Sequence, residues 1–339
     1  MLYKVIFSGR LEFGNSRTYD RVYKMYEHRK ENYYRSEILL DETEFFNEET
    51  LSLDIPRFIT HSSDKSWRNT INMLENVAQY AVAGDINGWM LNEGKIVKKS
   101  FIEPESDKAA VQSYRKGREL LSEAGREDEA IAALNRAIEK FERHAMAYER
   151  RGYINFVLKN YDDAEYDYSK SINLNPNNPN PYFGRAYIKM KHKSWEEAIA
   201  DFDCVLKRSI PHQVIYWKAR RIKSECHLRL NQYKEAAFDL KLFTKRNFDE
   251  GNPNLMWLKK AYFDYGFALF QLEDYKEAIN AFNQSLDFAE GKGNVSDAES
   301  LFYRGLALQK TGKKNFKSDI VSAAKKGHKK AAELLEEIA

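Results

Sequence analysis

A chain of 339 residues with 54 Lys and Arg against 51 Asp and Glu has a formal charge of +3, too small to mark a nucleic-acid binder by charge alone. Its 43% hydrophobic and 14% aromatic content is that of a folded chain with length for two or three domains, and argues against disorder. Two cysteines, Cys204 and Cys226, make neither a disulfide framework nor a CxxC pair.

The opening MLYKVIFSGRLEFGNSR lacks the basic start, long apolar stretch and small-residue cleavage site of a secretory signal. No window approaches the roughly 18 apolar residues of a membrane helix. These absences predict a soluble, cytoplasmic protein with no membrane partner.

In residues 2–13, Tyr3, Val5, Phe7, Leu11 and Phe13 alternate with mostly polar residues, predicting a strand buried on one face. As an edge strand it would offer a pairing surface to a second copy. SRTYDRVYKMYEHRKEN then sets Tyr19, Val22, Tyr23 and Tyr26 on one helical face. SEILL (36–40) and ETLSLDI (49–55) read as two strands. SSDKSWRNTINMLENVAQYAVAG is a helix with Ser or Asp to cap it, Trp67, Ile71, Leu74 and Ala78 inside, and Gly84 to end it. WMLNEGKIVKKSFI closes as a hairpin turning at Asn92-Glu93-Gly94.

The order β-α-β-β-α-β(β) predicts an α+β module over 1–104, a sandwich of ferredoxin-like type with helices on one sheet face. EPESDKAA (103–110) reads as a hinge, or as the N-cap of the first repeat.

From residue 105 to 339 the period changes. Small residues recur at Gly117, Gly152, Ala186, Ser224 and Gly266, with a degenerate copy at Gly305. Twelve or thirteen residues after each of the first five stands an alanine: Ala130, Ala164, Ala198, Ala236 and Ala278. Fillers such as Tyr168, Phe202, Leu240 and Phe282 follow one turn later on the same face. Each unit reads as a helical hairpin whose two helices cross closely at the small residues. Polar linkers such as LKN (158–160) and LED (272–274) join the helices, and Pro176 ends one of them.

These residues resemble the tetratricopeptide repeat family over roughly 109–325. The family's small residue, alanine, aromatic and proline match Gly152, Ala164, Tyr168 and Pro176, with 34 residues from Gly152 to Ala186. Tyr148 and Tyr182 stand where the family often has an aromatic. The resemblance implies an all-α right-handed superhelix of five to six hairpins. Copy four has Ser224 in place of glycine, copies three to five are lengthened between hairpins, and copy six has Lys317 where the alanine belongs. In HKKAAELLEEIA, Ala331, Leu334, Leu335 and Ile338 share one face, as a terminal capping helix requires.

Catalytic signatures are missing. No Walker loop occurs, and GKGNVS (291–296) has the wrong spacing; GxSxG and HExxH are absent as well. His227 beside Cys226 is a lone pair inside a repeat helix, and both cysteines read as small core residues. Paired acids such as Asp162-Asp163 and Glu196-Glu197 suit helix starts. The chain is expected to be no enzyme and to use no cofactor or metal.

In the family, first helices line a concave groove. Carried over, the resemblance assigns to it Tyr114, Arg118, Tyr153, Phe183, Tyr187, Lys191, Lys218, Arg221, Arg229, Lys260, Phe263 and Phe267, together with Phe302. Such an aromatic face with basic flanks suits a protein or peptide partner carrying acidic residues. Chaperone-binding relatives hold a ligand carboxylate with Lys and Asn. Tyr114 with Arg118, and Glu149 with Tyr153, depart from that pair, so a heat-shock chaperone tail is not the expected ligand.

One run is strongly basic. KTGKKNFKSDIVSAAKKGHKK (310–330) holds Lys310, Lys313, Lys314, Lys317, Lys325, Lys326, Lys329 and Lys330 against Asp319. A solvated face explains it; nucleic-acid binding, jointly with the N-terminal module, is the alternative, although Phe316 is its sole aromatic. The leading reading is an interaction scaffold whose partner lies in the groove.

Overall fold

The computed structural model describes residues 2–35, 37–289 and 295–337. Ser36 of SEILL, residues 291–294 of GKGNVS and Ile338 lie outside them. The chain divides into two compact units, Met1–Ile188 and Lys189–Ala339.

The first unit begins with β1 (Tyr3–Glu12), α1 (Ser16–Asn32), the single turn α2 (Glu42–Phe45), β2 (Phe46–Asn47), β3 (Ser52–Ser62), α3 (Asp64–Ala78), β4 (Ala83–Asn92) and β5 (Lys95–Ile102). The strands form one antiparallel sheet in the order β2-β3-β1-β4-β5. The α+β class therefore holds, and the connection from β3 through α3 to β4 passes over β1, a split βαβ crossover. Val5, Phe7, Leu11, Ile55, Ile86 and Met90 pack with Val22 and Tyr26 of α1 and Trp67 and Leu74 of α3 in one apolar core.

Three expectations for this module need correction. β1 is the central strand, Val5 facing Thr60 on one side and Met90 on the other, so it offers no edge to a second copy. No strand forms over 37–40: the Leu39 N–H donates to Thr70 Oγ1 (3.0 Å) and the Tyr26 hydroxyl donates to the Leu40 carbonyl (2.9 Å). Side chains, not a ladder, satisfy these backbone groups. Nor does Gly84 end α3, which stops at Ala78. Gly84 sits in β4 at φ +100, where a Cβ would fall 1.9 Å from the Arg10 carbonyl oxygen. Gly9, at φ +142 beside a register shift, lets β1 come equally close to Asp85 of β4. The turn at Glu93-Gly94 forms as expected, both residues at positive φ.

The helices of the first unit continue as α4 (Ala109–Leu120), α5 (Glu127–Lys140), α6 (Ala145–Val157) and α7 (Tyr161–Leu174); α8 (Pro179–Lys191) carries the division. The second unit holds α9 (Trp195–Arg208), α10 (Val214–Arg229), α11 (Tyr233–Thr244), α12 (Leu258–Gln271), α13 (Tyr275–Asp287), α14 (Asp297–Lys310), α15 (Phe316–Lys325) and α16 (Lys329–Glu337).

The small-residue seam is where the sequence places it. A Cβ on Gly117 would lie 2.7 Å from the Leu134 side chain, and one on Gly266 2.7 Å from Phe282. Ala130, Ala164, Ala198, Ala236 and Ala278 are all fully buried. In the last copy Gly305 meets Ile320, fifteen residues on, where Gly266 meets Phe282 sixteen residues on. The linker is one residue shorter, which carries Lys317 off the crossing and leaves it exposed. Ala331, Leu334 and Leu335 of α16 close the array by packing on the cluster that holds Ile320 and Ala323.

Candidate functional site

In the second unit, the candidate face is built on α10 and α12. Arg221 is buried; its guanidinium lies 4.0 Å from the centre of the Trp257 ring and donates from Nη1 to Glu225 (2.6 Å). Lys260, on α12, stands 3.8 Å from the same carboxylate and also bonds Asp264 one turn along. Burial pulls the Lys260 ammonium down, but Asp264 and Glu225 outweigh it and hold it above its ordinary value. Asp264 is shifted up by its own burial in spite of Lys260. Lys218 is exposed as a residue, yet burial around its head group and the charge of Arg221 lower its pKa.

Phe263 and Phe267 complete this face, packed edge-on against Tyr303 at 5.9 and 5.2 Å. Phe263 is buried, so its ring is inter-hairpin core more than open surface, whereas Phe267 is half-buried. Phe302 is buried too, stacked on His328 at 4.2 Å. Lys191 and Arg229 are exposed at the C-terminal ends of their helices.

The groove residues of the first unit fall into two groups. Tyr153 is exposed and Tyr187 packs on Phe156 and Phe183, at 6.2 and 5.1 Å. Tyr114 and Arg118 are instead covered by the chain's own sheet module. Glu103, just past β5, takes the Arg118 guanidinium with both carboxylate oxygens (2.9 Å for Nη2 to Oε1). Val111, Tyr114, Met146 and Glu149, on α4 and α6, are buried. The space left among Val82, Gly84, Pro104, Val111, Tyr114 and His144 is about 10 Å³.

The cover extends along the sheet. Arg10 donates to the Leu174 carbonyl at the end of α7 (3.2 Å), and Asn177 donates to Asp54 of β3 (3.3 Å). Arg10 lies 3.3 Å from Glu12 and 3.6 Å from Asp54. Segment 103–110, read from sequence as a hinge or as the N-cap of the first repeat, is pinned at Glu103 and at Lys108, which bonds the Tyr80 and Ala81 carbonyls past the end of α3. Asp85 keeps some exposed surface but lies deep among protein atoms, and burial, with Glu103 adding repulsion, pushes its carboxyl up to about 6. None of this seam was legible as a site, because its members are scattered from residue 10 to residue 177.

A second feature missed from sequence is a repeated buried ion pair. Asp167, Asp201, Asp239 and Asp319 are buried on second helices. Their first-helix partners are Arg151 (2.7 Å), Lys189 (2.9 Å), Lys223 (3.0 Å) and Arg304 (2.7 Å). The signal was available: the first three aspartates each follow the alanine of their repeat by three residues.

Lys313, Lys314, Lys317, Lys325, Lys326, Lys329 and Lys330 are all exposed, but they do not form one patch. The first three lie at the start of α15, whose ten residues span roughly 15 Å, and the other four at its end. Lys326 is countered by Asp297 at 3.5 Å. Burial raises the Cys226 thiol to about 12, an inert core position. Among the described residues no group of three His, Cys, Asp or Glu could hold a metal, and no helix is long and apolar enough to cross a membrane.

Comparison with known proteins bears on the helical part. Family models described as tetratricopeptide repeat match residues 114–179 and 259–291. The TPR repeat-containing protein MJ1428 of Methanocaldococcus jannaschii is 25% identical over 190 residues, 54% of this chain. The chain spans only 31% of that relative's length. Among solved structures, YrrB, described as a TPR protein with an unusual peptide-binding site, superposes with a TM-score of 0.51 at 17% identity, over 60% of this chain and 98% of its own. Pseudomonas aeruginosa pilF gives 0.50 at 14% identity, over 68% and 98%. At such identities the likeness is one of fold. Repeat spacing, hairpin packing and the matched segments together identify tetratricopeptide repeats in the helical part of this chain, which follows an α+β module.

Proposed function

We propose that the protein is a non-enzymatic cytoplasmic adaptor in which 1–104 acts as an accessory module and 105–339 holds a protein or peptide partner on its first-helix faces. The fold supports an interaction scaffold. The observation that carries the reading further is the face on α10 and α12. There Arg221 is locked between Trp257 and Glu225, and Lys260 is held charged by Asp264 and Glu225. Rigid cations over aromatic rings lose little entropy when an acidic, partly apolar segment binds, and such groups dominate binding energy where they occur. YrrB's described peptide-binding site is consistent with this use of the fold.

The test is affinity capture from native lysate with nuclease present, comparing wild type with Lys218→Glu/Arg229→Glu. Both residues are exposed, so the fold is kept. A stoichiometric protein that survives nuclease and is lost with the variant supports the reading. A partner that disappears with nuclease transfers the function to nucleic acid, and one that persists in the variant removes it from this face.

A further inference from the structure

The sheet module and the first two hairpins meet through charged and polar groups set beside apolar ones such as Val82, Pro104 and Val111. The module's own core is built round apolar side chains, with Ser52 and Thr70 among its buried polar ones. The polar part of the contact is made by Arg10, Asp54 and Glu103 on one side and by the Leu174 carbonyl, Asn177 and Arg118 on the other. Beside them, Arg10 Nε and Nη2, Glu12 Oε2, Arg143 Nε and His144 Nε2 are buried without a hydrogen bond. Contacts between parts that separate are more polar than a domain's own core. Each unmatched group is one that water would satisfy on opening.

The location of the contact matters as much as its composition. It covers α4 and α6, the first helices whose equivalents in later hairpins carry the proposed partner face. Arg118 there is met by a carboxylate supplied by the chain itself, in a two-pronged pair, with the Tyr114 ring centre 5.7 Å from the guanidinium and the apolar Val111 beside Glu103.

We propose that the sheet module is a releasable cover over the inner face of the first two hairpins, with Glu103 holding on Arg118 the place that a carboxylate side chain of an acidic, partly apolar partner segment takes when the cover lifts. The inference rests on the reading that first-helix faces bind protein. Because Glu103 is tethered, its effective concentration at Arg118 is of millimolar order, and an external carboxylate enters only when the seam is loosened. The strap 103–108, fixed by Glu103 at one end and Lys108 at the other, sets how readily that happens. The charge at the subsite selects an acidic ligand, and the buried apolar residues around it select one with Leu or Val beside the acid.

The experiment uses the full chain and a fluorescein-labelled ten-residue peptide of alternating Glu and Leu, with binding followed by anisotropy. Glu103→Gln and, separately, Asp54→Ala loosen the seam from the module side without touching the hairpins. Each is expected to tighten the peptide by about tenfold, the size of effect that loss of a hydrogen bond to a charged group exerts. Hydrogen exchange in α4 and α6 should accelerate in both variants. Adding Arg118→Glu to Glu103→Gln should abolish the gain. If neither variant binds more tightly than wild type, or if the gain survives Arg118→Glu, the proposal is overturned. Failure of the broader reading looks different: a gain that depends on Arg118 while Lys218→Glu/Arg229→Glu leaves partner capture intact keeps the cover and discards the face on α10 and α12.

Discussion

Glu12 shows how a single side chain sets the pH response of the seam. It lies 3.3 Å from Arg10, yet burial outweighs both Arg10 and Arg143, with Asp54 adding repulsion, and its carboxyl is pushed up to about 7. A glutamate in the unfolded chain titrates near about 4.3, so the native state binds this proton more tightly. The resulting stability is complete below the unfolded value and is lost as pH rises through about 7. Asp85 acts in the same direction around 6. His144 acts in the opposite one: burial lowers it to about 4, so the unfolded chain takes up a proton first and stability falls as pH drops from roughly 6.5 toward that value. Between about pH 4.5 and 6 the two carboxyls outweigh the single imidazole, so these three groups together lower the melting temperature as pH rises toward 7. Glu12→Gln should remove the part of that fall which Glu12 contributes between about pH 4.3 and 7. An unchanged slope in the variant would show that Glu12 is not the group responsible.

At the scale of elements, the hairpins were legible because each crossing admits one kind of residue. Gly117, Gly152 and Gly266 mark where backbones approach, and the alanines of the second helices answer them. The turn joining the two helices hides a further regularity. Lys159, Lys193, Asn231 and Glu273 all adopt positive φ, each seven residues past its small residue, and the outer copies use Gly125 and Gly312 for the same turn. A side chain in that conformation costs about 1–2 kcal/mol, part of which glycine returns through its freer unfolded chain. Lys193→Gly is accordingly expected to stabilise the protein by roughly 0.5–1 kcal/mol in urea unfolding, with helix content unchanged. A loss of stability would mean that the lysine side chain contributes contacts that the turn geometry does not reveal. The strand at 36–40 was misread for the opposite reason. Its apolar run is genuine, but Leu40 is buried by α1 and its backbone is satisfied by Tyr26 and Thr70, partners that no local pattern announces.

At the scale of the whole molecule, α16 rests on the hairpin before it through few residues: Leu334 and Leu335 are only half-buried, while Ala331 is fully so. Leu335→Asp should lower stability by about 1–2 kcal/mol through lost apolar burial and raise light scattering at high concentration. Unaltered melting and scattering would deny α16 a capping role. The seam, by contrast, could not be read in advance. Arg10, Asp54, Glu103, Arg118 and Asn177 are ordinary surface residues by type, and only the folded arrangement shows that the first-helix face near Tyr114 is already occupied.

The central position of β1 has a consequence for how the chain is made. Its two neighbours, β3 and β4, are encoded about fifty and eighty residues later. At a synthesis rate of about 5–20 residues per second, an apolar strand waits several seconds or longer before it can pair on both sides. The hairpins downstream need only their own sequence neighbourhood and close as soon as they emerge. Residues of β1 thus wait longer for their final partners than the two helices of any hairpin wait for each other. A ribosome-bound chain halted near residue 80 would display Val5, Phe7 and Leu11 unpaired on the β4 side, the stretch on which a nascent-chain chaperone has most to do.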